Sequence, residues 1–410
     1  MLQDVFHTSN TLSLDDYQKK EYLLAKMKDR FATYGYRQIQ TPAFEPYDLY
    51  QTSTGMIHPE KMVKVIDPAG KVFVLRPDVT IPITRRAAAG NQLDWDDERL
   101  FYISTVFRNA SFDQGEQMQA GIENFGLKTD ELDAEVIALA IHTLQDLGFE
   151  QFKLEIGHAG FFKELLKQIE LSKQEIEQLQ AIIQAKNVSE IEAFLENLPI
   201  QPESKKSLLQ IPLLYGDPEK VIKHAESVAL NNQMQEKVTD LHSLLEGLKL
   251  YDAEQFISFD LGLINHMNYY SDIIFQGFVE NYGKPVLMGG RYDQLAEQFE
   301  RALPAIGFAF DIAAVLQVMS QQSLFPVMDP AVDIQILYTE SKRREALSCG
   351  QALRSQGVRV RIDPIGGEAN NQTAANVIYY KESQNLIANE KTSRAFFSQA
   401  ELLDLFKEGF

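Results

Sequence analysis

Two ten-residue stretches carry the residue types best suited to recognising a small polar ligand. In RLFYISTVFR, ending at Arg108, period-2 alternation places Tyr102, Ser104, Val106 and Arg108 on one face of a strand. Phe101, Ile103, Thr105 and Phe107 take the other face. In QMQAGIENFG, Gln117, Gln119, Gly121 and Glu123 share a face, and Met118, Ala120 and Ile122 oppose it. The polar loop Asn109–Glu116 between them predicts an antiparallel hairpin. That hairpin presents a guanidinium, a carboxamide and a carboxylate to one side. Gly121 leaves an empty slot between Gln119 and Glu123, and a gap flanked by two hydrogen-bonding side chains suits a ligand. The same polar face also suits plain solvation.

A second stretch, Leu261–Asp293, reads LGLINHMNYYSDIIFQGFVENYGKPVLMGGRYD. Its apolar runs, Ile273–Val279 and Pro285–Met288, suit strands joined by the turn Asn281-Tyr282-Gly283. The polar-aromatic clusters Asn265–Tyr270 and Gly289–Asp293 flank them. Tyrosines and glycines at strand ends let a small ligand meet both ring and backbone.

Several chemistries are missing from the sequence. No GxxxxGK[ST] occurs, and no GxGxxG follows a strand. The seven histidines are scattered without HExxH or comparable metal spacing. His158 and His266 read as isolated structural residues. The single cysteine, Cys349, excludes an internal disulfide and a multi-cysteine metal site. No metal and no cofactor is expected, and no Ser-His-Asp set follows from position alone.

The elements that must position these residues fit a chain of 410 residues, enough for two or three domains. The formal net charge of −19 argues against a general polyanion binder. The start, MLQDVFHTSN, has neither a basic nor an apolar signal region, and the apolar window Ala302–Met319 contains Pro304, Gly307 and Asp311. That window reads as a strand followed by a helix, so a cytoplasmic protein with no membrane span is expected.

Ser13 and Asp16 resemble a capping box ahead of a helix carrying Tyr17, Leu23, Leu24, Met27 and Phe31, with Gly35 as its stop. Thr41–Tyr50, TPAFEPYDLY, reads as extended. Val72–Leu75 is a strand running into Arg76-Pro77-Asp78-Val79-Thr80, with a helix to about Ala89. Glu131–Gly148 reads as a helix and Gln151–Ile156 as a strand. From Phe161 to about Leu250 the chain turns rich in Gln, Glu, Lys and Leu at helical spacing, which predicts a helical insertion at 161–250. Strands resume at Phe256–Leu261. After a linker at Gln321–Pro330, Val332–Tyr338 (strand), Lys342–Ser355 (helix) and Val358–Ile362 (strand) open a small α/β domain at 331–410.

These residues add up to a resemblance. TPAFEP looks like the first motif of class II aminoacyl-tRNA synthetases, LFYISTVFR…QMQAGIENFG like their second-motif hairpin, and PAIGFAFDIAAVL sits where the third motif belongs. The specific match is to histidyl-tRNA synthetase. LRPDVT resembles its LRPEGT, NHMNYY its RGLDYY, and MGGRYD its AGGRYD. The resemblance covers about residues 1–320 with the motifs in order. It implies an α+β fold, with a class II antiparallel sheet flanked by helices, the helical insertion, and a small C-terminal α/β domain resembling a degenerate anticodon-binding domain. The first motif builds a twofold interface in class II relatives, so a homodimer core is expected.

The resemblance carries histidine-binding roles to Asp78 (glutamate in the family), Thr80, Gln119, Glu123, Tyr269, Tyr270 and Tyr292. The family's carboxylate-binding arginine is missing, so Arg108 or backbone N–H groups are expected to take its place. Glu123 and Asp78 suit the α-ammonium and the imidazole N–H, Gln119 orients the amino acid, and the tyrosines wall the ring. No catalytic residue is expected, because the departures fall on the synthetase's cations. Its catalytic arginine is replaced by Asn265, its aspartate by Asn268, the third-motif arginine by Ala314, and the arginine-rich loop by the cation-free Asn109–Glu116. Adenylate formation needs preorganised cations on the triphosphate. Amino-acid binding without ATP chemistry is similar to the ATP phosphoribosyltransferase regulatory subunits, synthetase-like proteins of histidine biosynthesis. That likeness implies a non-catalytic partner of a short catalytic phosphoribosyltransferase, with L-histidine as feedback effector and without tRNA binding. The alternatives are an active histidine–tRNA ligase, or a synthetase-like module binding another amino acid or tRNA.

Overall fold

The computed structural model describes residues 13–51, 57, 59–90, 97–108, 115–196, 198–264, 270–327, 332–366, 374, 376–389 and 392–407. Contacts divide the chain into two units, Met1–Phe325 and Pro326–Phe410. In the first, α1 (Leu14–Thr33) leads into β1 (Arg37–Gln38), β2 (Phe44–Pro46), the single turn α2 (Asp48–Gln51), β3 (Lys64–Ile66) and β4 (Val72–Leu75). Then come α3 (Thr80–Ala89), the long strands β5 (Glu98–Phe107) and β6 (Glu116–Phe125), α4 (Asp130–Asp146) and β7 (Phe152–His158). A helical stretch follows: α5 (Ala159–Leu166), α6 (Lys173–Gln184), α7 (Val188–Glu196), α8 (Pro202–Gln210), the two-residue β8 (Tyr215–Gly216), α9 (Pro218–Val228) and α10 (Asn232–Leu250). The unit closes with β9 (Ile257–Asp260), β10 (Ile273–Val279), β11 (Leu287–Arg291), β12 (Ala305–Asp311) and α11 (Ile312–Gln321).

Nine strands form one sheet in the order β1-β5-β6-β12-β11-β10-β7-β9-β8. Strand alternation divides its core in two. Phe101, Ala120, Ile122, Ile306 and Phe308 face the helical layer, packing with Leu23, Met27 and Phe31 of α1 and Ile137 and Leu144 of α4. Leu100, Tyr102, Val106 and Ala305 face the other way, toward Val79 and Ile83 at α3. Each buried side chain of this size contributes about 1.5–3 kcal/mol. The cap at Ser13 forms, its Oγ accepting from the Asp16 N–H at 3.1 Å. Tyr17, read as part of that helix's apolar stripe, is exposed.

The helical stretch is no separate ball. Leu179, Leu195, Leu208, Val221 and Leu241 belong to the same apolar cluster as Ile156 and Phe259 of the sheet. Two local expectations shift. Asp48–Gln51 closes into a helical turn where an extended segment was expected. The strand expected at Pro285–Met288 begins at Leu287 and continues through the glycines to Arg291. Position 290 admits only glycine, because a Cβ there would meet the Ile273 carbonyl at 2.6 Å and the Tyr270 ring at 2.8 Å.

The second unit is a five-stranded mixed sheet ordered β14-β13-β15-β16-β17, with β13 (Ile334–Tyr338), β14 (Val360–Pro364), β15 (Asn376–Tyr380), β16 (Asn385–Ala388) and β17 (Ser393–Phe396). The helices α12 (Arg343–Ser355) and α13 (Gln399–Lys407) supply Cys349, Leu353 and Leu402 to its core beside Ile336 and Ile378. Among the described residues no helix is long and apolar enough to cross a membrane.

Candidate functional site

Cross-strand register assembles the site. Tyr102 lies opposite Gly121 and Ser104 opposite Gln119, while β12 places Gly307 beside Glu123 and Asp311 beside Gln119. A cavity of about 200 Å³ opens on this face, lined among others by Asp78, Thr80, Arg108, Gln119, Glu123, Tyr270 and Tyr292. Seven of the eight residues expected to bind histidine therefore line one cavity. The eighth, Tyr269, lies outside the described residues, as do Asn265, His266, Asn268 and residues 109–114 of the loop.

Glu123 is the centre of the arrangement and is only 2% exposed. Thr80, the first residue of α3, donates its hydroxyl to Oε1 at 2.6 Å, and the Tyr292 phenol donates to Oε2. Tyr292 is fixed in turn by edge-on packing against Phe125, with centroids 6.4 Å apart. Burial pushes the Glu123 carboxyl up to about 8, against the pull of these two donors. Asp78 is held just ahead of α3, its Oδ1 accepting from the Ile81 N–H at 2.7 Å. Burial raises its carboxyl too, opposed by that bond and by the charge of Arg108. Arg108 itself is exposed at the end of β5.

The slot expected at Gly121 is not empty. A Cβ there would lie 2.7 Å from the Tyr102 hydroxyl, so the Tyr102 ring fills the gap between Gln119 and Glu123. Gly121 admits a neighbouring ring rather than a ligand. Three polar lining residues were not among those expected to bind the ligand: Tyr102, Gln117 and Asp311. Tyr102 was legible on the correct face. Asp311 carried a helix-capping signal, standing between a strand and an apolar helical run. Its Oδ1 accepts from Ala313 and Ala314 N–H at 3.0 and 3.2 Å, and its Oδ2 accepts from the Gln117 amide at 2.6 Å. The N-terminus of α11, where a phosphate would otherwise be welcome, is taken by the protein's own carboxylate.

A charged cluster stands beside Tyr270, whose carbonyl accepts from Lys163 Nζ at 2.6 Å. Asp272 pairs with Lys128 at 2.6 Å and with Lys237 at 3.2 Å. Burial alone would raise the Asp272 carboxyl, but Lys128, His158 and Lys237 hold it well below the usual carboxylate range. His158, read as isolated, caps α5 by accepting from the Gly160 N–H at 3.1 Å and faces Asp240 at 3.3 Å. The donor atoms of His158, Asp240 and Asp272 lie within 4.8 Å of one another. The Lys237 ammonium already bridges the two carboxylates, which removes the demand for a metal.

Comparison with known proteins agrees with this architecture. The histidyl-tRNA synthetase family model matches residues 10–315. An ATP phosphoribosyltransferase regulatory subunit of Oceanobacillus iheyensis is 44% identical over 384 residues, 94% of each chain. One from Acetivibrio thermocellus is 36% identical, over 85% of this chain and 84% of that protein. Among solved structures, one described as an ATP phosphoribosyltransferase regulatory subunit/histidyl-tRNA synthetase from Bacillus halodurans superposes with a TM-score of 0.78 at 29% identity, covering 89% of this chain and 94% of the other. A histidyl-tRNA synthetase from Nostoc also reaches 0.78, at 18% identity and 95% of both chains, a likeness of fold. The chain belongs to the ATP phosphoribosyltransferase regulatory subunit family, whose members carry the histidyl-tRNA synthetase fold.

Proposed function

We propose that this chain is a non-catalytic regulatory subunit that associates with a catalytic ATP phosphoribosyltransferase subunit and takes L-histidine as feedback effector in the cavity around Glu123. The observation that carries this reading is the acidic, tyrosine-walled, amino-acid-sized cavity, with the buried Glu123 anchored by Thr80 and Tyr292. Two carboxyls face the ligand's cationic groups, and Arg108 at the mouth is placed for its carboxylate. For an adenylate-forming reading, the lining among the described residues offers one cation, Arg108. Ala314 stands at the start of α11 where the resemblance puts a nucleotide-binding arginine, and Asp311 occupies the helix end.

By the same resemblance, residues 1–320 form the synthetase-like domain, 161–250 its insertion, and 331–410 a degenerate anticodon-binding domain. The net charge of −19 supports the absence of tRNA binding. A homodimeric core in a cytoplasmic hetero-oligomer completes the reading. The test is reconstitution with the catalytic subunit and a histidine titration of phosphoribosyltransferase activity, wild type against Glu123→Ala. Expected are activation by both chains and a rightward-shifted inhibition curve for the variant. Superimposable curves would place the effector elsewhere.

A further inference from the structure

One row of paired residues crosses five strands on the face that carries Glu123. It runs Gly121, Ala309, Met288, Gln276 and Glu155, on β6, β12, β11, β10 and β7 in turn. The Tyr102 ring covers Gly121, and Met288, 37% exposed, is the first long apolar side chain of the row. In the adjoining row the Glu123 carboxylate lies over Gly307, and the Tyr270 ring lies over Gly290, 2.8 Å from where a Cβ would be. The open floor of the cavity is therefore Ala309, with Tyr102 on one side and Met288 on the other.

Beyond Met288 the same face opens into a second cavity of about 330 Å³, bounded by Gln276, Glu155, Asp260 and, from the helical stretch, Gln184 and Lys186. Met288 is the one described residue that lines both cavities. The charges of the second cavity are paired within the chain. Asp260 meets Lys186 at 2.8 Å, and Glu155 accepts from the Gln276 amide at 3.0 Å. This space offers room rather than a charge for a ligand to answer. The synthetase motif resembled here reads AGGRYD where this chain has MGGRYD, so the side chain between the cavities stands where that motif has alanine.

Two strand spacings, about 10 Å, separate Gly121 from Met288, so the floor between their covering side chains takes one planar ring. We propose, resting on the histidine reading above, that Met288 is a specificity-determining residue: its side chain ends the effector cavity at a single bare ring and shuts off the second cavity. With the ligand's carboxylate at Arg108, just past the end of β5, its ring lies toward Tyr270 and Tyr292, beside the ends of β10 and β11. That is the Met288 side. A bulky ring substituent has to pass Met288 to reach free volume. An unbranched thioether can swing aside, so the rejection is finite rather than absolute. The chemical class selected is the free amino acid with an unsubstituted imidazole, against ring-alkylated histidines.

The experiment is calorimetry on the full-length chain with L-histidine and with its two isomers benzylated on one or the other ring nitrogen. Wild type should bind both isomers about ten- to a hundredfold more weakly than histidine, the cost of overfilling a packed site. The loss of a ring N–H is common to both proteins, so the Kd ratio of isomer to histidine isolates Met288. In Met288→Ala that ratio should fall at least about tenfold for one isomer or both. Unchanged ratios, or a wild type that binds the isomers as tightly as histidine, would overturn the inference while leaving histidine binding intact. No binding of histidine itself would overturn the histidine reading, and this inference with it. A second measurement uses wild type carrying methyl-¹³C methionine. The methyl signal that is missing in Met288→Leu should move when wild type is saturated with histidine, and an unmoved signal would sink the idea.

Discussion

Tyr292 and Glu123 stand 169 positions apart in the chain, yet the phenol donates directly to the carboxylate across the floor of the cavity. With Thr80 on the second oxygen, the chain's own side chains hold the carboxyl in place. A ligand therefore meets a preorganised acid.

Truncating that acid gives the first prediction. Glu123→Ala removes a charge-assisted contact contributing roughly 1.5–3 kcal/mol. Histidine affinity should fall about ten- to a hundredfold by calorimetry. Phosphoribosyltransferase activity in the absence of histidine should be retained in the reconstituted complex.

The same residue sets a pH dependence of stability. Its carboxyl titrates near 8 in the folded chain against an ordinary 4.5, so the folded state holds the proton more tightly. Its contribution is favourable at low pH and is lost as pH rises through that window. In ligand-free protein, the Tm of Glu123→Gln minus that of wild type should grow between pH 5 and 8. A difference independent of pH would contradict the assignment.

The helix end at Asp311 predicts lost chemistry. Purified chain should show no histidine-dependent ATP–pyrophosphate exchange, because Asp311 fills the amides of α11 and no arginine follows it. Exchange clearly above background would reinstate a ligase.

A buried ion pair next to the cavity gives a prediction of stability. Arg291 is 1% exposed and is held by Asp133 and by Asp293, the latter at 3.1 Å. Asp133→Ala strands the guanidinium and should cost about 3–5 kcal/mol, read as a lower urea midpoint. A shift under ~1 kcal/mol would mean that Asp293 suffices.

Assembly is tested at the small sheet ordered β2-β4-β3, where Phe44 and Ile66 are 55% and 69% exposed. These are large apolar side chains to leave in water. Sedimentation should show a dimer at micromolar concentration, with Ile66→Glu moving it toward monomer. A wild-type monomer would refute the twofold core.

The sequence by itself determined which residues share a face. Period-2 alternation in β5 and β6 is local, so Tyr102, Gln119 and Glu123 were placed correctly before any fold was known. Local hydrogen bonding likewise fixed the Ser13 cap, and ordered motifs carried the family. What the alternation could not determine was what fills a space. The gap at Gly121 read as a ligand slot, but β5–β6 register turns the Tyr102 ring into it. His158 read as alone, yet Asp240, 82 positions away, faces its ring, and Gln117 reaches Asp311 across 194 positions. Strand register and the reach of long side chains decide such contacts, and both are set by pairings between segments that local sequence patterns do not encode.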